Sequence, residues 1–115
     1  MSLERAFASI EEPWQPRIAA EANGTAVKLV KLDGEFVWHS HESEDEIFLV
    51  RSGRLTMRFR DRDVVLEAGE LLLVPHGVEH CPVGEPGTEV LLIEPTGTPN
   101  TGDAGGPRTV EAKPL

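Results

Sequence analysis

Apolar and polar residues alternate along this chain in short runs, and turn-forming residues separate the runs. The clearest run is RLTMRFR at 54–60, where Leu55, Met57 and Phe59 face one way and Thr56 and Arg58 the other. Gly53 precedes it, and Asp61-Arg62-Asp63 turns the chain back into VVL at 64–66. After Glu67-Ala68-Gly69-Glu70 comes LLLV at 71–74, which Pro75-His76-Gly77 ends. Upstream, RIAAEANGTAVKLVKL at 17–32 reads as two extended runs joined at Asn23-Gly24, a strong short-range hairpin signal. Asp33-Gly34 predicts another turn, with a strand over 35–41 and the next over 46–52. VEHCPV at 78–83 and EVLLIE at 89–94 are predicted as the last two strands. Residues 3–12 have room for one or two helical turns before Pro13 and Pro16 force an extended entry. No helical stretch is long enough for βαβ units. Short strands spaced by roughly 8–12 residues predict an all-β sandwich or barrel.

Beyond Pro95 the pattern stops, and PTGTPNTGDAGGPRT is rich in Gly, Pro and Thr. The reading is a single domain over 1–115, with a core barrel at about 17–95 and an irregular tail over 96–115 lying on the surface or on a partner. A chain of 115 residues suits one domain and buries roughly two-thirds of its extended surface on folding. Its single cysteine, Cys81, excludes an internal disulfide framework and points to a reducing compartment. The N-terminal MSLERAFASI has no long apolar run, so no signal peptide or membrane helix is expected there, and the cytoplasm is the expected location. The net charge of −9, from 20 acids against 11 bases without a Lys/Arg cluster, argues against nucleic acid and anionic membranes as partners. The acid excess reads as a solvated surface.

Candidate chemistry sits in WHSHESEDE at 38–46. On a strand, His39 and His41 project from one face and can converge on one ion. Glu46 opens the next strand in phase with Phe48 and Val50, and His80 begins another after the turn at 75–77. Three imidazoles and a carboxylate suit Fe, Mn, Ni, Cu, Zn or Co, and four protein ligands on an octahedral ion leave two positions open. Taken singly, a histidine is more often barrel filling than a ligand. Three of them with a glutamate would be costly to bury without a partner.

These positions resemble the two motifs of the cupin superfamily. Gly34, His39, His41, Glu46 and Gly53 match the first, with four residues between Gly34 and His39 where five are usual. Gly69, Pro75, Gly77 and His80 match the second, and Gly84 stands where that motif often ends in an asparagine that is not a ligand. The motifs take in residues 34–84, and the flanks are similar to those of small single-domain bacterial cupins with an NTGD tail, here Asn100 to Asp103. The resemblance implies a jelly-roll β-barrel (a double-stranded β-helix) that commonly forms homodimers. It also implies one divalent transition metal ion on His39, His41, Glu46 and His80. The activities it suggests are those of a dioxygenase, decarboxylase, isomerase or lyase acting on a small molecule, with Glu46 as catalytic ligand and base. No tyrosine is present, which argues against the sugar-epimerase chemistry of related cupins. The alternative is a non-catalytic binding or sensing barrel with a structural metal; a metal-free structural dimer is the third reading.

Other residues have plainer readings. Cys81 neighbours His80, so it should point away from the ligands as a packed thiol. His76 should be exposed in its turn, and Glu42, Glu44 and Asp45 should form a solvated loop. Trp38 and Phe36 are expected to face away from the ligands, between sheets or in a dimer contact. Phe48, Val50, Leu55, Met57, Phe59 and Leu73 are the expected walls of the core or cavity. Gly53, Gly69 and Gly77 mark turns. The N-terminal strand from Trp14 to Ala20 is the expected dimer edge.

Overall fold

Strand β1 (Arg17–Ala22) turns at Asn23-Gly24 into β2 (Thr25–Glu35). Both turn residues have positive φ, 53° and 74°, a conformation Asn and Gly take at least cost. A computed structural model describes residues 1–115 and continues with β3 (Glu46–Ser52), β4 (Arg54–Phe59), β5 (Asp63–Glu67), β6 (Leu71–Val74), β7 (His80–Pro95) and β8 (Lys113–Pro114). A short helix, α1 (Leu3–Ala8), precedes them; the Ser2 hydroxyl caps it by accepting from the Arg5 amide at 3.2 Å. No helix is long and apolar enough to cross a membrane.

The long strand β7 organises the barrel. Along one edge it pairs antiparallel with β2, from Thr25 opposite Pro95 to Glu35 opposite Val83. Its other edge is shared: the first residues pair with β4, from His80 opposite Phe59 to Gly84 opposite Leu55, and the later ones with β3, from Glu89 opposite Ser52 to Ile93 opposite Ile47. β5 extends β4, and β6 extends β3. At the changeover Thr88 is fully buried, and its hydroxyl both accepts from the Arg54 amide and donates to the Arg54 carbonyl, each at 3.1 Å. Gly53 fits only because it lacks a side chain: a Cβ there would lie 2.4 Å from the Thr88 hydroxyl, and its φ is 88°. The result is the all-β jelly roll that the strand pattern and motifs predict.

Three details of the strand pattern differ from the sequence reading. Asp33-Gly34 does not end a strand. Gly34, at φ 78°, lies at a register shift in the pairing with β7, where Leu32 is opposite Thr88 and Gly34 opposite Gly84. The two predicted final strands are one 16-residue strand. Residues 36–45 are not a strand; they leave the sheet after Glu35 and keep only one bridge, His39 to His80.

Two hydrophobic regions result. Inside the barrel, Val30, Leu32, Phe48, Val50, Leu55, Met57, Phe59, Leu66, Val74 and Val90 pack together. Outside, Ala6 and Phe7 of α1 and Ile10 just after it lie over Leu29 and Leu91. Leu73 is not a wall: on β6 the inward residues are Leu72 and Val74, and Leu73 is 49% exposed. Nor is the tail wholly irregular. Lys113 and Pro114 pair in parallel with Arg17 and Ile18, and the Leu115 amide donates to the Ile18 carbonyl at 3.0 Å. That covers part of the strand edge expected to meet a second copy.

Candidate metal centre

Each of the four candidate residues is held by the backbone around it. Glu46 is the first residue of β3, in phase with the buried Phe48 and Val50, and His80 is the first of β7. The His39 amide donates to the His80 carbonyl at 3.0 Å, the His80 amide donates to the His39 carbonyl at 2.9 Å, and the Gly77 amide donates to the His41 carbonyl at 2.7 Å. These bonds keep the HxH segment in place without a sheet. The four side chains are buried, and one ligand atom from each lies within 4.8 Å of the others.

Ring orientation follows from second contacts. The Nδ1 of His39 lies 2.9 Å from the Val37 carbonyl, and that of His80 2.9 Å from the Val78 carbonyl. A carbonyl only accepts, so each Nδ1 carries the proton and each Nε2 presents a lone pair inward. His41 Nε2 stands 2.8 Å from Glu46 Oε1, and His80 Nε2 stands 3.3 Å from the same oxygen. Neither approach has the direction of a hydrogen bond, so His41 Nε2, His80 Nε2 and Glu46 Oε1 are buried without a partner, as is His41 Nδ1. Buried polar atoms are almost always satisfied. Three of these orphans meeting at one place fit a cation, and the donor set suits a transition metal.

The local field separates the groups. Burial would raise the Glu46 carboxyl, but His41 and His80 outweigh it and bring it down to about 2. Burial, and then the neighbouring His80, lower His39 to about 4. For His41, burial is outweighed by Glu46, and its pKa is raised.

A cavity of about 50 Å³ opens beside His39 and Glu46. Val30, Leu32, Phe48, Val90 and Leu92 give it apolar walls, and Trp14 and Phe36 lie across it. Phe36 was expected to face away from the ligands. It instead stacks on Trp14 with ring centroids 4.6 Å apart and meets His39 edge-on at 5.7 Å, because the chain has left the sheet there and strand parity no longer applies. Trp38 does face away, but not between sheets: the Arg60 guanidinium lies 3.8 Å from its ring centroid and that of Arg58 5.5 Å. Cys81 also points away, with Sγ 3.7 Å from Glu35 Oε1; burial and that carboxylate push the thiol up to about 11. His76 is exposed and pairs with Asp45 at 2.7 Å.

Sequence reasoning missed two lining residues. Lys28 and Glu94, 4% and 3% exposed, form an ion pair at 3.3 Å, and Lys28 also donates to the Thr98 carbonyl at 3.2 Å. Burial, and then the charge of Glu46, push the Glu94 carboxyl up to about 8 against the pull of Lys28. The signal was present: Lys28 is in phase with Val30 and Leu32 on β2, as Glu94 is with Leu92 and Val90 on β7. Glu94 is thus a second carboxylate in the cavity beside Glu46.

The NTGD segment closes over the HxH loop. The Asp103 carboxylate accepts from the Ser40 amide at 2.8 Å and from the Ser40 hydroxyl at 3.3 Å, and the Asp103 amide donates to the Ser40 carbonyl at 2.9 Å. A Cβ on Gly102 would meet the Ser40 carbonyl oxygen at 2.2 Å. Asn100 reaches the cavity lining, its side chain donating to the Arg108 carbonyl at 3.0 Å and accepting from the Val110 amide at 3.1 Å.

The cupin-domain family model matches residues 27–94, more than half of the 115-residue chain and both ligand-bearing motifs. The chain belongs to the cupin family. A structure of a cupin-2 domain-containing protein from Shewanella frigidimarina NCIMB 400 is 42% identical and superposes with a TM-score of 0.81, covering 83% of this cupin and 93% of that chain. Protein NMB1881 from Neisseria meningitidis is 34% identical with a TM-score of 0.76, covering 84% and 98%. The uncharacterized protein YdbB of Bacillus subtilis (strain 168) is 40% identical over 62 residues, which are 53% of this chain. The match spans only about half of YdbB, 55% of its length.

Proposed function

We propose that this cupin is a metal-dependent enzyme acting on a small molecule, with one divalent transition metal ion held by His39, His41, Glu46 and His80. The observation that carries this reading is that two of the four residues, His39 and Glu46, line a cavity with apolar walls. A structural metal site is closed on all sides, whereas a catalytic one keeps an open side. When bound, the ion supplies a Lewis acid for a substrate oxygen or, if it is iron, a means of activating dioxygen.

The chain's own residues do the rest. The carbonyls of Val37 and Val78 fix the rings of His39 and His80, so their Nε2 atoms stay aimed inward without reorganisation. Glu46, ionised beside His41, serves as ligand and, when released, as proton acceptor. The apolar walls exclude water and admit a compact substrate body. Dioxygenase, decarboxylase, isomerase and lyase chemistry all use these parts.

Elemental analysis of the untagged protein beside a His80→Ala variant tests the reading. About one equivalent of a transition metal in the parent, lost in the variant, is the expected outcome. Empty parent protein after reconstitution would reduce the histidines to barrel filling and end the enzyme reading. We further propose a cytoplasmic homodimer. The free thiol of Cys81 supports the compartment, and the exposed Val65, Leu71 and Leu73 on the edge strands β5 and β6 support a second copy. A monomer's mass on gel filtration of the same sample would overturn the dimer.

A further inference from the structure

We propose that Lys28 is the anchor for a small organic monoanion in the metal cavity, with Glu94 as the residue that positions it; this rests on the metal reading above. A buried ion pair is poor evidence of stabilisation, since apolar residues of similar volume commonly serve as well or better. Lys28 and Glu94 are nonetheless buried in an otherwise apolar wall, in the same cavity as His39 and Glu46. That placement points to a ligand.

Donor accounting gives the site its chemistry. An ammonium group has three N–H bonds. Two are used, one to Glu94 Oε2 at 3.3 Å and one to the Thr98 carbonyl at 3.2 Å. The third is left for an acceptor. Glu94 and Thr98 hold the ammonium in one place, so the ligand need not order it. Asn100, the remaining polar residue of the lining apart from the metal ligands, has both ends of its amide tied to the tail.

Charge accounting gives the sign. With a divalent ion in place, that ion and Lys28 face the charge of Glu46 and at most one more on Glu94, so the cavity keeps at least one net positive charge, which an anion offsets. The cavity, about 50 Å³ with Val, Leu and Phe walls, suits a small apolar remainder on the molecule. The class is therefore a short-chain carboxylic acid with its carboxylate on Lys28. An oxo or hydroxyl oxygen on the same molecule is suited to the metal.

The test is calorimetric titration of the metal-loaded protein with propionate and 2-oxobutyrate, using 2-oxobutyramide as the neutral control. The parent should bind at least one of the acids, and the amide at least about tenfold more weakly. Lys28→Met should lose at least about tenfold in acid affinity at unchanged metal content, and Lys28→Arg should recover part of it. Glu94→Gln takes away whatever negative charge Glu94 carries and adds no positive one, so it should bind the acid as tightly as the parent or more tightly. Opposite signs for Lys28→Met and Glu94→Gln separate anchoring from mere damage, because both break the same ion pair. Loss of affinity in both variants, equal binding of acid and amide, an unaffected Lys28→Met, or no binding of either acid to loaded parent would each overturn the proposal. Metal content read on every sample distinguishes this failure from failure of the metal site: a parent without metal defeats both readings, whereas a loaded parent indifferent to Lys28 defeats only this one.

Discussion

Strand β2 divides two buried regions that solve different problems. On its outer side Leu29 packs with Leu91 under Ala6, Phe7 and Ile10 of the N-terminal segment, and the nearest charge to Phe7 in that packing is the Arg51 guanidinium, 5.7 Å from its ring centroid. On its inner side Val30 and Leu32 join the barrel core, but Lys28 is on that face too. Every buried ionisable side chain other than Cys81 belongs to the interior: His39, His41, His80, Glu46, Lys28 and Glu94. Apolar burial outside converts directly into stability. The interior gives up part of that gain to keep polar atoms dry and unpaired, which is the arrangement expected where a protein binds rather than merely packs.

The largest effect should come from the outer region and leave the inner one untouched. Phe7 is fully buried. Phe7→Ala should cost about 3–5 kcal/mol by denaturant unfolding, through lost burial and the space left behind. Metal content of the variant, measured at a temperature where it stays folded, should match the parent. Metal loss in folded Phe7→Ala would mean that the two regions are coupled through β2 and that the division drawn above is wrong.

The next effect belongs to the inner region and depends on pH. In the metal-free protein the charge of nearby Glu46 outweighs burial and raises the His41 pKa, so this contribution to stability is present below the ordinary histidine value of about 6.5 and disappears as pH rises through the raised value. A metal ion acts in the opposite sense, since it binds only the deprotonated ring. His39, lowered to about 4, is neutral in both forms across this window and cancels in the difference. The difference in Tm between loaded and metal-free protein should therefore grow from about pH 5.5 to about pH 8, with metal affinity changing by up to about tenfold per pH unit on the acid side. A difference that stays flat would show that His41 is not a ligand that must shed a proton.

How much of this was legible depended on whether local periodicity governed the residue. The barrel strands, the Asn23-Gly24 hairpin and the inward parity of Glu46, Phe48 and Val50 follow from a period of two, and they appear as read. The four-residue cluster was legible because the HxH pair and its partners occupy recognisable spacings. Phe36 was misplaced because residues 36–45 leave the sheet, so alternation no longer says which way a side chain points. Leu73 was misplaced because all of 71–74 is apolar, and an unbroken apolar run does not reveal its own phase; pairing of Val74 with Glu46 sets it. Lys28 and Glu94 were overlooked for the converse reason: a charge at an inward position looks like surface until the strand on either side is given its phase. The tail was opaque because its contacts with Ser40 and Ile18 are made across more than sixty residues of sequence.

The smallest effect tests whether that tail belongs to the inner region. Asp103 is exposed, yet its carboxylate holds the amide and hydroxyl of Ser40, the residue between two ligands, and the Ser40 amide lowers its pKa. Outer-shell groups that orient ligands commonly change metal affinity by about tenfold or more. Asp103→Ala should weaken metal binding by about tenfold, read by competition with a chelator. Asp103→Asn retains a side-chain oxygen for the Ser40 amide and should remain near the parent. If instead Asn and Ala weaken binding equally, the carboxylate acts through its charge, a contribution that added salt would screen. If neither changes affinity, the NTGD segment only covers the HxH loop, and the inner region ends at its four ligands and the cavity wall.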